Sequence, residues 1–136
     1  MGAWGEMRRR SSGGLNLRKE DTYKFVDPSV IDAAKLAKML NTGIVRFKFR
    51  KKAKKGQPWD SGEERIAWGT RVGNVITKIP HGGDCPPKRA GYSIYFDMEK
   101  EDWRAFNDAL LLGVCPTVFT EEEFENLYPM LVDETE

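Results

Sequence analysis

Apolar and polar positions alternate most clearly along Ile44-Val45-Arg46-Phe47-Lys48-Phe49-Arg50-Lys51. In an extended chain Val45, Phe47 and Phe49 fall on one side and Arg46, Lys48 and Arg50 on the other, which reads as a half-buried strand with a basic outer face. The alternation returns at Ile66, Trp68, Thr70 and Val72, with Arg65, Ala67, Gly69 and Arg71 between them, after a polar stretch over residues 52–63. These two segments read as antiparallel strands joined by a long loop. Residues 74–79 read as another short strand, and Pro80-His81-Gly82-Gly83-Asp84-Cys85-Pro86-Pro87-Lys88 is dense enough in turn formers to be a loop. Tyr92, Ile94 and Phe96 then alternate with Ser93, Tyr95 and Asp97, and Trp103-Arg104-Ala105-Phe106 resumes the pattern after a charged turn, giving a second hairpin.

Helical spacing flanks the strands. Asp27-Pro28-Ser29 offers a helix start, with Asp32 three residues after Ser29 as in a capping box. Val30, Ala33, Ala34, Ala37 and Leu40 follow on one face, and Asn41-Thr42-Gly43 ends the helix. Thr120 with Glu123 opens a final helix that carries Phe124, Leu127 and Tyr128. Several short strands behind one N-terminal helix predict a small closed or nearly closed β-barrel. In this reading Trp68 and Trp103 point inward, and Tyr95 lies on the side opposite Ile94 and Phe96, where it is a contact candidate beside Arg104.

The organisation expected is a basic flexible arm over 1–25, a helix-plus-barrel domain over 26–114 and an acidic C-terminal helix or tail over 115–136. A chain of 136 residues has room for one core, and 40% hydrophobic residues supply it. No apolar run approaches the roughly 20 residues of a membrane span, so no membrane partner is expected. The start of the chain carries neither a secretory nor a myristoylation pattern. Two cysteines, Cys85 and Cys115, are too few for a disulfide framework and read as free thiols.

The net charge of +1 conceals a division: residues 1–55 balance at +10 and residues 56–136 at −9. Such polarity suits binding of a polyanion, head-to-tail contacts between copies, or mutual cancellation within one fold. The basic strand and loop, Arg46, Lys48, Arg50, Lys51, Lys52, Lys54 and Lys55, contain no acid between them. Side chains on one strand face repeat at about 6.5–7 Å, which suits a row of phosphates. Trp59 in the loop beyond offers a surface on which a base stacks, and Arg8, Arg9 and Arg10 add to the charge. DNA or RNA bound with little sequence preference is one expectation; a solvated, aggregation-resistant edge or a face covered by the acidic tail is the other.

Catalytic and metal chemistry find no constellation. His81, Asp84, Cys85 and the distant Cys115 match no recurring zinc spacing, no nucleophile–base set is evident, and Gly82-Gly83 lacks the Lys and Ser/Thr of a phosphate loop. The expectation is a non-enzymatic protein with no cofactor and no metal.

The blocks Val45 to Lys52, Ala67-Trp68-Gly69-Thr70, and Tyr95-Phe96-Asp97-Met98-Glu99-Lys100 leading into Trp103-Arg104-Ala105-Phe106 resemble a family of small phage and mobile-element proteins over about residues 40–114. The family is described as an Sm-like or SH3-like β-barrel related to the WYL domain. The resemblance implies a mainly β, five-stranded barrel, and a setting in the cytoplasm of a bacterial host with virion association as a further option. It brings no established biochemical activity. Since WYL domains are ligand-sensing modules tied to regulation and nucleic acids, it also implies a small-ligand or nucleotide site, for which Tyr95, Arg104 and Arg71 are the ligand or interface candidates. A protein-interaction or assembly module, as a homo-oligomer or with a phage protein partner and using contacts between basic arm and acidic tail, stays open beside these.

Overall fold

The computed structural model describes residues 24–79 and 85–131. Arg8, Arg9 and Arg10, His81 and Asp84, and the terminal acids from Asp133 onward lie outside the described residues. The described elements are α1 (Ala33–Leu40), β1 (Ile44–Arg50), β2 (Glu64–Thr70), the one-turn helix α2 (Gly73–Ile76), β3 (Tyr92–Asp97), β4 (Asp102–Asn107), a 3-10 turn (Asp108–Leu110), β5 (Leu111–Phe119) and α3 (Glu121–Leu131).

The five strands form one sheet in the order β4-β3-β2-β1-β5, with every pairing antiparallel. Both expected hairpins are present, β1 with β2 and β3 with β4. The sheet is not closed, but it curls strongly. Strands in a sheet are about 4.8 Å apart, so β1 and β4, with two strands between them, would stand about 14 Å apart if the sheet were flat. The rings of Phe49 on β1 and Phe106 on β4 nonetheless stack at 5.2 Å.

Curling encloses the main core of Val45, Phe47, Phe49, Ala67, Tyr95, Phe106, Leu111 and Val114, capped by Leu36 and Leu40 of α1. Gly69 makes room within it, since a Cβ there would stand 2.7 Å from the Tyr95 ring. Tyr95 lies edge-on to Phe47 at 5.0 Å and 87°, an arrangement that aromatic quadrupoles favour.

The convex face carries a second core, in which Ile44, Trp68, Cys115 and Phe119 meet Leu131 of α3, with Phe124, Leu127 and Tyr128 packed against them. Trp68 is therefore core, but not on the side expected. Its register partner is Arg46, while Ala67 pairs with Phe47, so Trp68 leaves the sheet on the outer face and is buried there by α3. Trp103 is half-buried, also on that face, edge-on to Phe96 at 5.6 Å. A period of two says which residues share a face; it does not say which face the rest of the chain covers.

Four stretches depart from the pattern. The N-terminal helix begins at Ala33, because the Asp27 carboxylate accepts from the Ser29 N–H at 2.8 Å and closes a turn of its own. Asp32 then caps α1 by accepting from the Lys35 N–H at 2.9 Å, Leu36 and Leu40 form its buried face, and Val30 and Ala34 stay exposed. Residues 74–79, read as a strand, instead hold α2, which buries Val75 and Ile76; the Thr70 hydroxyl accepts from the Val72 N–H and turns the chain out of β2. β5 runs across position 115, where the acidic segment was expected to begin. It lacks clean alternation because it serves both cores and shifts register twice against β1. The basic arm, expected to extend to 25, yields its last residue to the barrel: the Phe25 ring lies over Arg46, and Val26, the first residue of the expected domain, bridges Val114.

Neither Cys85 nor Cys115 forms a disulfide, and burial pushes the Cys115 thiol above its ordinary pKa. Among the described residues no helix is long and apolar enough to cross a membrane.

Candidate functional site

The hairpin from β1 to β2 opens into a loop whose base is tied twice. The Lys51 N–H donates to the Glu63 carbonyl at 2.8 Å, and Arg50 Nη1 donates to the Gly62 carbonyl at 3.1 Å. Gly62 is required there, because a Cβ would stand 1.9 Å from the Lys51 carbonyl oxygen. Two turns shape the loop itself, from Gln57 N–H to Lys54 O and from Ser61 N–H to Pro58 O, both at 3.0 Å. These bonds fix Trp59 without burying it: it is 61% exposed, a large apolar ring held in water.

Trp59 is one wall of a cleft of about 910 Å³ over the open end of the curled sheet. Phe49, Tyr95, Phe106 and Leu110 form its apolar floor, Tyr92 and Arg89 stand on the side of β3, and the β1–β2 loop contributes Lys51, Lys52, Ala53, Lys54 and Gln57. Arg50, Arg65, Lys100 and Arg104 complete the basic lining. Among the described residues the walls carry eight Lys or Arg side chains against one carboxylate, Asp97.

That carboxylate adds little negative potential to the cleft. Asp97 is fully buried, pairs with the Arg65 guanidinium, and accepts from the Glu99 and Lys100 N–H groups at 2.9 and 3.0 Å. Arg65 also lies 3.6 Å from Glu99. Burial works against the Arg65 charge, and Asp97, Tyr95 and Glu99 outweigh it, so its pKa lies above the ordinary arginine value. The Tyr95 phenol moves upward as well, through burial first and the neighbouring Asp97 second. At neutral pH the floor thus holds a protonated phenol and a neutralised ion pair beneath a basic rim, in which Arg50, Lys51 and Arg104 lie 3.4, 3.8 and 4.0 Å from Glu64, Glu63 and Asp102.

Of the residues singled out in the sequence, Arg50, Lys51, Lys52, Lys54, Trp59, Tyr95 and Arg104 come together in this cleft. Tyr95 and Arg104 are register partners on β3 and β4, but Tyr95 is a core residue with 1% exposure, because the side opposite Ile94 and Phe96 is the concave one. Lys55 is exposed on the loop outside the cleft lining, and Arg71 is half-buried after β2, its N–H donating to the Leu40 carbonyl at 2.7 Å.

The row Arg46, Lys48, Arg50 is not the solvated phosphate track that alternation predicted. Arg46 is 3% exposed, with its guanidinium 4.8 Å from the centre of the Phe25 ring and 5.7 Å from that of Trp68. Lys48 lies 5.2 Å from the centre of the same Phe25 ring and 3.9 Å from Glu64, and Arg50 pairs with Glu64 at 3.4 Å. The convex face is covered because Phe25 and α3 fold over it, and no local pattern in β1 records that.

Arg65, Arg89 and Lys100 were missed as cleft residues. Arg65 carries one signal, its place in the alternation beside Ala67, which puts it on the concave side opposite Phe49. Arg89 and Lys100 lie outside the strands and join the site only through the hairpin's position. Among the described residues no cluster of metal-ligating side chains occurs.

Comparison with known families gives one match, WYL_2, described as an Sm-like SH3 beta-barrel fold, over residues 33–112. The match covers more than half of the chain and every residue lining the cleft, and it stops at the start of β5, before α3. No curated protein and no solved structure matches the chain.

Proposed function

The chain belongs to the WYL_2 family, of Sm-like SH3 β-barrel fold, and we propose that it is a non-enzymatic member that binds unpaired nucleic acid in the cationic cleft. The observation that carries this reading is the coincidence, in one cleft, of eight basic side chains with an exposed and loop-anchored Trp59. Single-strand binding needs both: a groove whose charge tracks phosphates, and an aromatic face on which a base stacks whatever its identity. Duplex offers no free base face to Trp59, so an unpaired strand is the better ligand.

The basic residues stand on two rims, Lys51, Lys52 and Lys54 on the β1–β2 loop and Arg89, Lys100 and Arg104 on the side of the β3–β4 hairpin. A strand crossing from rim to rim meets phosphate-binding groups at both ends and the apolar floor between them. Most of the affinity is then electrostatic and carries little sequence information. The phage or mobile-element setting, with a bacterial cytoplasm, belongs to this proposal and rests on the resemblance.

The test is fluorescence anisotropy of a labelled deca-thymidylate, and of its duplex with the complementary strand, across a salt series. The expected result is tighter binding of the single strand, with log affinity falling on log salt by about 0.7 for each phosphate neutralised. Absence of binding to either probe at low salt refutes the reading. A mononucleotide that displaces the strand at equal concentration would instead make the cleft a nucleotide site.

A further inference from the structure

The cleft and the C-terminal helix share a residue. Arg65 lines the cleft, and it also lines a recess of about 190 Å³ on the other side, beside Trp68, Glu99 and Tyr128. Tyr128 belongs to α3, which lies outside the segment matched to the family. Its hydroxyl donates to Glu99 Oε2 at 2.8 Å, and Glu99 Oε1 faces Arg65 at 3.6 Å. A continuous chain of contacts thus runs from α3 through Glu99 to a cation of the cleft.

From this chain we propose that Glu99 and Tyr128 are positioning residues for Arg65, and that ligand in the cleft and docking of α3 oppose each other. The proposal rests on the cleft being the binding site. The two carboxylates on Arg65 are not equivalent. Asp97 is fully buried and saturated by backbone N–H groups, so it stays; Glu99 is 26% exposed and holds Arg65 at longer range. A phosphate entering the cleft competes with Glu99 for the guanidinium, offering a charge-assisted contact at hydrogen-bond range against an ion pair held at 3.6 Å. Arg65 drawn toward the cleft releases Glu99, Glu99 loses the geometry in which it accepts from Tyr128, and α3 keeps its apolar contacts with Trp68 and Phe119 and the Glu121–Lys78 ion pair at its start. Linkage makes the effect reciprocal: whatever weakens the docking of α3 tightens the cleft for its ligand.

Tyr128→Phe is the discriminating variant. It keeps the ring that packs against Trp68 and Phe124, changes no charge, and lies outside the cleft lining. With deca-thymidylate as probe and the full chain as protein, Tyr128→Phe is expected to bind roughly 2- to 30-fold more tightly than the parent, the range that coupling between sites spans. Glu99→Ala, which removes the contacts to both Tyr128 and Arg65, should do the same, and adding Tyr128→Phe to Glu99→Ala should change nothing more. Hydrogen exchange supplies the second readout, with amides of α3 exchanging faster when the strand is bound. If the parent binds but Tyr128→Phe binds equally and α3 protection is unmoved, the coupling is refuted while the cleft stands. If the parent does not bind, the cleft reading fails and the coupling falls with it.

Discussion

Phe49 and Phe106 stack with ring centres 5.2 Å apart and planes 23° apart, across a sheet in which two strands separate them. That contact fastens the edge strand β4 back onto β1 and forms part of the floor of the cleft. Replacing Phe106 by Ala removes a ring with 3% exposure and should cost about 3–5 kcal/mol, the usual range for a buried phenylalanine. Urea denaturation measures it; a loss below about 1 kcal/mol would mean that the curl is held elsewhere.

The basic residues divide into structural and functional sets, and charge reversal separates them. Arg46→Glu places a carboxylate under Phe25 and Trp68, where it should destabilise the fold by about 3 kcal/mol. Lys52→Glu and Lys54→Glu change exposed loop residues, should leave stability within about 0.5 kcal/mol, and should weaken oligonucleotide binding together with its salt dependence. Equal stability losses at positions 46 and 52 would contradict the burial of Arg46.

Trp59→Ala should leave the melting temperature unchanged, since the side chain is 61% exposed. It should weaken binding of a single strand by about 1–3 kcal/mol, the contribution of one stacked base. Loss of affinity for inorganic pyrophosphate to the same extent would show that stacking is not what Trp59 does.

Gly62→Ala sets a methyl group against the Lys51 carbonyl, with only 1.9 Å between Cβ and oxygen. The loop base must move, so stability should fall by about 1–3 kcal/mol, as for other overpacked sites. Because the same loop carries Trp59, affinity should fall in parallel. A variant with unaltered stability and binding would show that the loop base yields freely.

Among the described residues, alkaline titration should find two late phenols, Tyr95 and Tyr128. Burial and the hydrogen bond to Glu99 push Tyr128 up to about 12 from an ordinary 10.0, and Tyr95 is raised as well, chiefly by burial. A raised folded-state pKa contributes stability that is complete below the unfolded value and is lost as pH rises through the folded one. Stability should therefore hold to about pH 10 and decline toward pH 12, with α3 loosening as the Tyr128 phenol ionises. Absorbance at the phenolate band with far-ultraviolet circular dichroism follows both, and ionisation of all tyrosines in one step near 10 would contradict these environments.

Local chemistry determined what could be read locally. Alternation located β1, β2, β3 and β4, because the pleat sends successive side chains to opposite faces with different surroundings, and Thr120 with Glu123 located α3 by a reciprocal cap, in which each N–H finds the other's side chain at 2.8 and 3.1 Å. The loop basic residues and Trp59 were legible as binding candidates because no acid interrupts the run from Lys51 to Lys55 and Trp59 stands in a polar stretch with no apolar periodicity. Tertiary structure alone decided which face each strand presents to water. Phe25 and α3 close over Arg46 and Trp68, β5 serves two cores and so loses its alternation, and the curl that joins Phe49 to Phe106 brings Arg65, Arg89 and Lys100 to one mouth. Periodicity is a property of neighbours along the chain, whereas burial and charge density depend on residues that meet only after folding.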